Sequence, residues 1–151
     1  MRSWAEIFSG YTEDPRAHLA KRFPIATDQM VSLNGIHFFS TCEHHMLPFF
    51  GYADVAYIPR DEVCGLSKLA RLVNGYARRL QMQERITHDV AQAIQEELNP
   101  LGVAVRLRGQ HMCMSSRGVS AEPTTVMVTT VLLGAFKSDP GARAEWLASL
   151  P

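Results

Sequence analysis

The sequence predicts an α+β domain, an antiparallel sheet covered by helices, in the order strand pair, helix pair, strand pair, with helical ends. Three observations predict it. Two stretches of helical periodicity sit together in the middle of the chain. Segments that alternate or are rich in β-branched residues lie on both sides of them, and nothing between reads as a linker. At 151 residues, 46% apolar and 20% charged, the chain has the size and composition of one globular domain, residues 1–151.

The elements follow in order. Trp4 to Phe8 reads as the end of a helix stopped by Gly10. Glu13-Asp14-Pro15 opens a second short helix to about Arg22, with proline in the first turn and Pro24 beyond the end. Residues 1–28 thus form a short helical segment. Residues 29–33 and 36–41 flank Asn34-Gly35, a pair suited to both left-handed positions of a type I′ turn, which predicts a hairpin. Residues 51–58 alternate as a strand closed by Pro59, and 60–66 form a loop.

Ser67 is the expected N-cap of a helix whose face carries Leu69, Leu72, Val73, Tyr76 and Leu80. A second helix over 83–98 carries Ile86, Val90, Ala93, Ile94 and Leu98, and Asn99-Pro100-Leu101-Gly102 stops it. Val103, Val105 and Leu107 alternate with Ala104, Arg106 and Arg108 as a half-buried strand. Residues 124–133 form another strand, and 140–150 a closing helix.

Fifteen basic residues cancel fifteen acidic ones, which argues against a nucleic-acid binder held by bulk charge. The same balance leaves little self-repulsion to oppose assembly into a homo-oligomer. No apolar stretch reaches the ~18–20 residues of a membrane helix, and the N-terminus lacks a secretory core. Three cysteines, an odd number, make a poor disulfide framework. A reducing cytoplasm is the expected compartment, where cysteine more often binds metal or does chemistry.

Four clusters carry chemistry. Cys42-Glu43-His44-His45 and His111-Met112-Cys113 each pair cysteine with histidine, the softer zinc ligands. Cys42 and His45, three apart, can reach one ion from a single turn. Cys113 would join from a distant strand, and three protein ligands leave a fourth position for water, as in a catalytic site. His44 and His111 are spare histidines beside the proposed ligands, suited to moving protons. Such residues are also ordinary packing side chains, and spacing alone leaves both readings open. Cys64 has no histidine neighbour and reads as structural.

The third cluster is basic. Lys68 and Arg71 lie in the first turns after Ser67, where free N–H groups and the helix dipole suit phosphate, and Arg117 is placed to join them. A solvated helix face is the competing reading. Neither a P-loop nor a Rossmann turn is present. The fourth cluster is Gln81-Met82-Gln83-Glu84-Arg85 between the helices. A buried carboxylate at Glu84 would accept from a guanine's N1–H and amino group and leave adenine unmatched. Alone, a glutamate there is equally explained by the helix dipole.

Together these segments resemble the GTP cyclohydrolase I family. The resemblance rests on residues 40–49, Val55-Ala56-Tyr57-Ile58-Pro59, residues 65–71, residues 78–85, His111-Met112-Cys113-Met114 and Arg117-Gly118-Val119. It spans nearly the whole chain. It implies a tunnelling fold whose subunits close a barrel in a ring, two pentamers forming a decamer with active sites between subunits. It implies hydrolysis of GTP at C8, release of formate and rearrangement to 7,8-dihydroneopterin triphosphate, the first step of pterin and folate-type biosynthesis. Zinc ligation then falls on Cys42, His45 and Cys113, and proton transfer on His44, His111 and Ser67. Substrate binding falls on Glu84, Gln83, Ser67, Lys68, Arg71 and Arg117. The alternative is a related purine-ring-opening enzyme of a 7-deazaguanine or other modified-nucleoside pathway. Against the family pattern, residues 1–28 look truncated, and 120–133 look one residue longer, which a bulge would absorb.

Overall fold

A computed structural model describes residues 2–151. From the N-terminus come α1 (Arg2–Ile7), two 3-10 turns (Ser9–Tyr11 and Pro15–Ala20) and β1 (Arg22–Pro24). Next are β2 (Val31–Cys42), β3 (Pro48–Ile58), β4 (Glu62–Cys64), α2 (Leu66–Ala77), β5 (Leu80–Gln81) and α3 (Gln83–Leu98). The chain ends with β6 (Gly102–His111), α4 (Met112–Ser115), β7 (Met127–Gly134), α5 (Ala135–Ser138) and α6 (Pro140–Ala148). The predicted α+β class and the order of paired strands and helices are present.

One sheet runs β5-β2-β3-β6-β7 in space. Its pairs are antiparallel except β5, which lies parallel to β2, so the sheet is mixed and not wholly antiparallel as expected. β1 and β4 form a separate two-stranded ribbon, β4 lying within what the sequence reads as a loop over 60–66 and β1 at the expected end of the second short helix. The helix pair α2 and α3 covers one face. Leu69, Leu72, Val73 and Tyr76 from α2, and Ile86, Val90, Ala93, Ile94 and Leu98 from α3, are all buried. They meet Phe38, Phe49, Ala53, Val55, Tyr57, Val103, Val105 and Leu107 from the sheet. Each fully buried aliphatic or aromatic side chain contributes about 1.5–3 kcal/mol, and this layer is the main core. On the far face Ala56 and Ala104 admit Phe136 and Trp146 from the C-terminal helices. Beyond that small cluster Phe39, Tyr52 and Val128 stand exposed. No described helix is long and apolar enough to cross a membrane.

The expected hairpin at Asn34-Gly35 is instead a bulge inside one long strand. Leu33 faces Val55 while Ile36 faces Ala53, so β2 carries one extra residue there. A type I′ turn needs positive φ at both central residues, and here only Gly35 has it, at +72°. Gly35 donates its N–H to Asp54 Oδ1 at 2.9 Å. The extra residue changes the phase of β2. Val31 and Leu33 pack toward the helices before the bulge, whereas Ile36, Phe38 and Cys42 do so after it. Cys42 therefore reaches the end of β2 on the helix side of the sheet.

Two boundaries and one expected bulge also differ from expectation. Gly65, in extended conformation, is the N-cap of α2, and Ser67 lies inside the first turn. β7 begins at Met127, not Thr124. Its register with β6 is unbroken from Gly102↔Gly134 to Gly109↔Met127, so no bulge interrupts that strand.

Candidate functional site

The true reversal between β2 and β3 is the Cys42 segment itself. Met46 donates its N–H to Cys42 O at 2.9 Å, and Cys42 donates to Leu47 O at 2.8 Å. Met46 accepts a positive φ of 57° to close this turn. The turn is then tied to β5 and to α3. Glu43 donates its N–H to Gln81 O at 3.1 Å, and Arg85 donates to both Glu43 carboxylate oxygens, at 2.6 and 3.0 Å. That guanidinium holds the Glu43 carboxyl below the usual carboxylate range.

Cys113 arrives from the other side. β6 pairs with β3 so that His111 lies opposite Phe49, and α4 follows at once, carrying Cys113 beside the turn. The ligand atoms of Cys42, His45 and Cys113 lie within 4.8 Å of one another. Cys42 Sγ and His45 Nδ1 are 3.6 Å apart. All three cysteines are free thiols. Burial pushes the Cys113 thiol up, the nearby Cys42 adds to this, and Arg117 opposes it. Two thiols and an imidazole gathered so closely are a donor set for a soft dication such as zinc. Cys42 is buried, Cys113 half-buried and His45 exposed, so the cluster is open on one side.

His111 stacks on Phe49, with ring centroids 4.6 Å apart and planes 6° apart. Its Nε2 lies 3.0 Å from Gln83 Oε1. Burial lowers the His111 pKa, and the Glu84 carboxylate partly offsets this. The ring lines a cavity of about 640 Å³ together with Phe50, Met112, Met114 and Met127. The second metal segment, the start of α3 and the cavity thus meet at His111.

The remaining expected site residues fall in two groups. Glu84, in the first turn of α3, is exposed in the single chain and not the buried carboxylate expected. Gln83, expected to touch the base, is fully buried, and its carboxamide is committed within the chain. His44 is exposed, 3.8 Å from Glu43. Arg117 is exposed in the loop after α4. Ser67, Lys68 and Arg71 occupy the first turns of α2, and no side-chain hydrogen bond joins them to the cluster among the described residues. Cys64 is buried beneath Tyr57, whose hydroxyl accepts its N–H at 3.2 Å, in agreement with a structural role.

The sequence reading did not find the Glu43–Arg85 pair or the Phe49 stack, which join residues far apart in the chain. The role of Gln83 had a local signal. Gln83, Ile86, Thr87 and Val90 follow the helical spacing of one buried face, so a polar residue there needs internal partners.

A family model for GTP cyclohydrolase I matches residues 1–150. A protein of Desulforamulus reducens named GTP cyclohydrolase 1 is 52% identical over 145 residues, 95% of this chain and 77% of the relative. Its namesake from Wolinella succinogenes is 48% identical over 151 residues, 99% of this chain and 80% of the relative. One from Pelotomaculum thermopropionicum is 50% identical over 145 residues, 95% and 77% of the two chains. Among solved structures, an archaeosine synthase QueF-Like in the apo form superposes with a TM-score of 0.52 at 20% identity, covering 70% of this chain and 95% of that one. At that identity the likeness is one of fold alone.

Proposed function

Because the chain belongs to the GTP cyclohydrolase I family, we propose that Cys42, His45 and Cys113 hold a zinc ion (Zn2+) and that the residues around them read GTP. The activity is that of a GTP cyclohydrolase I. The observation that carries the metal reading is the convergence of three soft ligand atoms within 4.8 Å from two distant segments. Bound there, zinc would supply Lewis acidity that brings a hydrolytic water toward ionisation near neutral pH.

The chain's own residues take the other roles. Glu84 accepts from the guanine N1–H and exocyclic amino group, which adenine cannot offer in that pattern. Lys68, Arg71 and Arg117 hold the triphosphate, with Ser67 and the free N–H groups of the α2 N-terminus. His111 delivers a proton to purine N7 and so makes C8 more electrophilic. His44 and Ser67 serve the later proton transfers, through formate release to 7,8-dihydroneopterin triphosphate. The product enters pterin and folate-type biosynthesis in the cytoplasm.

The site is completed between subunits, in a decamer of two pentameric rings whose sheets close a barrel. Two observations support this. Ser67 and Arg71 are exposed and unengaged with the metal cluster, and Glu84 is exposed where guanine selection needs desolvation. The far sheet face also leaves Phe39, Tyr52 and Val128 uncovered. Incubation with GTP tests the reading. One zinc per chain and formate with a fluorescent oxidised pterin are expected, and Cys113→Ala abolishes both. Full turnover by metal-free Cys113→Ala protein refutes it.

A further inference from the structure

We propose that Gln83 is a positioning residue that locks His111 in the tautomer with its proton on Nε2, leaving Nδ1 as the nitrogen that trades protons with substrate. The inference rests on the reading of His111 as a proton carrier and departs from a role for Gln83 at the guanine.

The orientation of the Gln83 amide is fixed by its partners. Gln83 Nε2 donates toward Leu107 O at 3.2 Å, Met127 O at 3.1 Å and Thr129 Oγ1 at 3.1 Å. Two of these are carbonyl oxygens, which only accept, so the NH2 group must face them. The other end of the carboxamide is then an oxygen, and that oxygen lies 3.0 Å from His111 Nε2. An amide oxygen cannot donate. The contact is a hydrogen bond only if Nε2 carries the proton, and a neutral imidazole then leaves Nδ1 bare. The reverse tautomer would set two lone pairs against each other beside a fully buried amide, which disfavours it.

The surroundings are built for this contact. Gln83 has no solvent exposure, so water cannot substitute for either end of its amide. The Thr129 hydroxyl is itself held 2.6 Å from the Thr87 hydroxyl, one helical turn along from Gln83. A Cβ at Gly109 would stand 2.3 Å from Gln83 Oε1, so the glycine leaves the space in which that oxygen meets the ring. Phe49 fixes the ring plane from one face. Nδ1 makes no hydrogen bond among the described residues, while the ring lines the 640 Å³ cavity. A donor-locked Nε2 and a free Nδ1 together define which atom serves the reaction.

Two measurements on the zinc-loaded protein test this. Nitrogen-15 spectra of histidine-labelled wild-type protein at pH 8, with the His111 signals assigned by their loss in His111→Asn, report the tautomer without any variant at position 83. A protonated Nε2 and an unprotonated Nδ1 are expected. A proton on Nδ1, or an average of both forms, overturns the proposal. Steady-state kinetics of Gln83→Met, matched in length but without the amide, separate positioning from binding. The expected result is a kcat lower by about tenfold to a hundredfold with KM for GTP within about twofold. A raised KM with kcat kept would return Gln83 to the substrate and overturn the lock. Failure of wild-type zinc binding or turnover would instead strike the underlying reading of the site, and the ring spectrum would still decide the tautomer.

Discussion

Asp54→Ala is predicted to destabilise the fold by unpinning the bulge that sets the phase of β2. Asp54 is wholly buried on β3. Its Oδ1 accepts the Gly35 N–H at 2.9 Å, and its Oδ2 accepts from Arg106 Nε and Nη2 at 3.2 and 3.0 Å, with Arg108 Nε at 3.6 Å. Removing one partner of a buried ion pair costs about 3–5 kcal/mol, because the other charge is stranded. Arg106 and Arg108 keep 17% and 30% of their side-chain exposure, so water reaches both in part. The lower end, about 3 kcal/mol, is therefore expected. For a chain of this size that is a fall in Tm of about 6–12 °C. Asp54→Asn keeps an acceptor for Gly35 but turns an NH2 donor toward Arg106 in place of Oδ2, and is expected to fall nearly as far. Scanning calorimetry at one fixed protein concentration measures both, since assembly makes Tm concentration-dependent. A fall below about 2 °C for Asp54→Ala would show that the bulge is held by other means and refute the reasoning.

Two further predictions concern the site. Arg85→Met releases the turn that carries Cys42 and His45, and zinc affinity by competition with a chromophoric chelator is expected to weaken roughly tenfold. Unchanged affinity would mean the Glu43–Arg85 pair is ornamental to the metal. Glu84→Gln keeps the shape of the guanine contact and loses its charge. It is expected to lower kcat/KM for GTP by roughly 10–100-fold, matching about 1.5–3 kcal/mol for a hydrogen bond to a charged group. The ratio of GTP to inosine triphosphate should fall with it, because inosine lacks the amino group. A retained ratio places base selection elsewhere.

Much of this was legible in the sequence because it follows from local periodicity. The buried faces of α2 and α3 and the alternation of β6 are set by residues within one or two turns of each other. Spacing alone left the proposed metal trio open, and it became legible through the resemblance of residues 40–49 and 111–114 to the family pattern. The hairpin at Asn34-Gly35 was misplaced for a physical reason. A bulge and a type I′ turn both draw on glycine at positive φ, and only the pairing with β3 separates them. The actual turn has no glycine, asparagine or aspartate. It closes at Met46 and is held through Glu43 by Arg85, 42 positions further on in another element. β5 was too short to show any period. The burial of Gln83 and the exposure of Glu84, neighbours on one helix, depend on which side of α3 meets β6 and β7.

The proposed chemistry depends on one coordination sphere, and X-ray absorption at the zinc edge reads it directly. The purified protein is predicted to show two sulfur scatterers at about 2.3 Å with one imidazole nitrogen and one further light atom at about 2.0–2.1 Å, losing one sulfur in Cys42→Ser. A sphere of nitrogen and oxygen alone, or one unchanged by loss of Cys42, would contradict it.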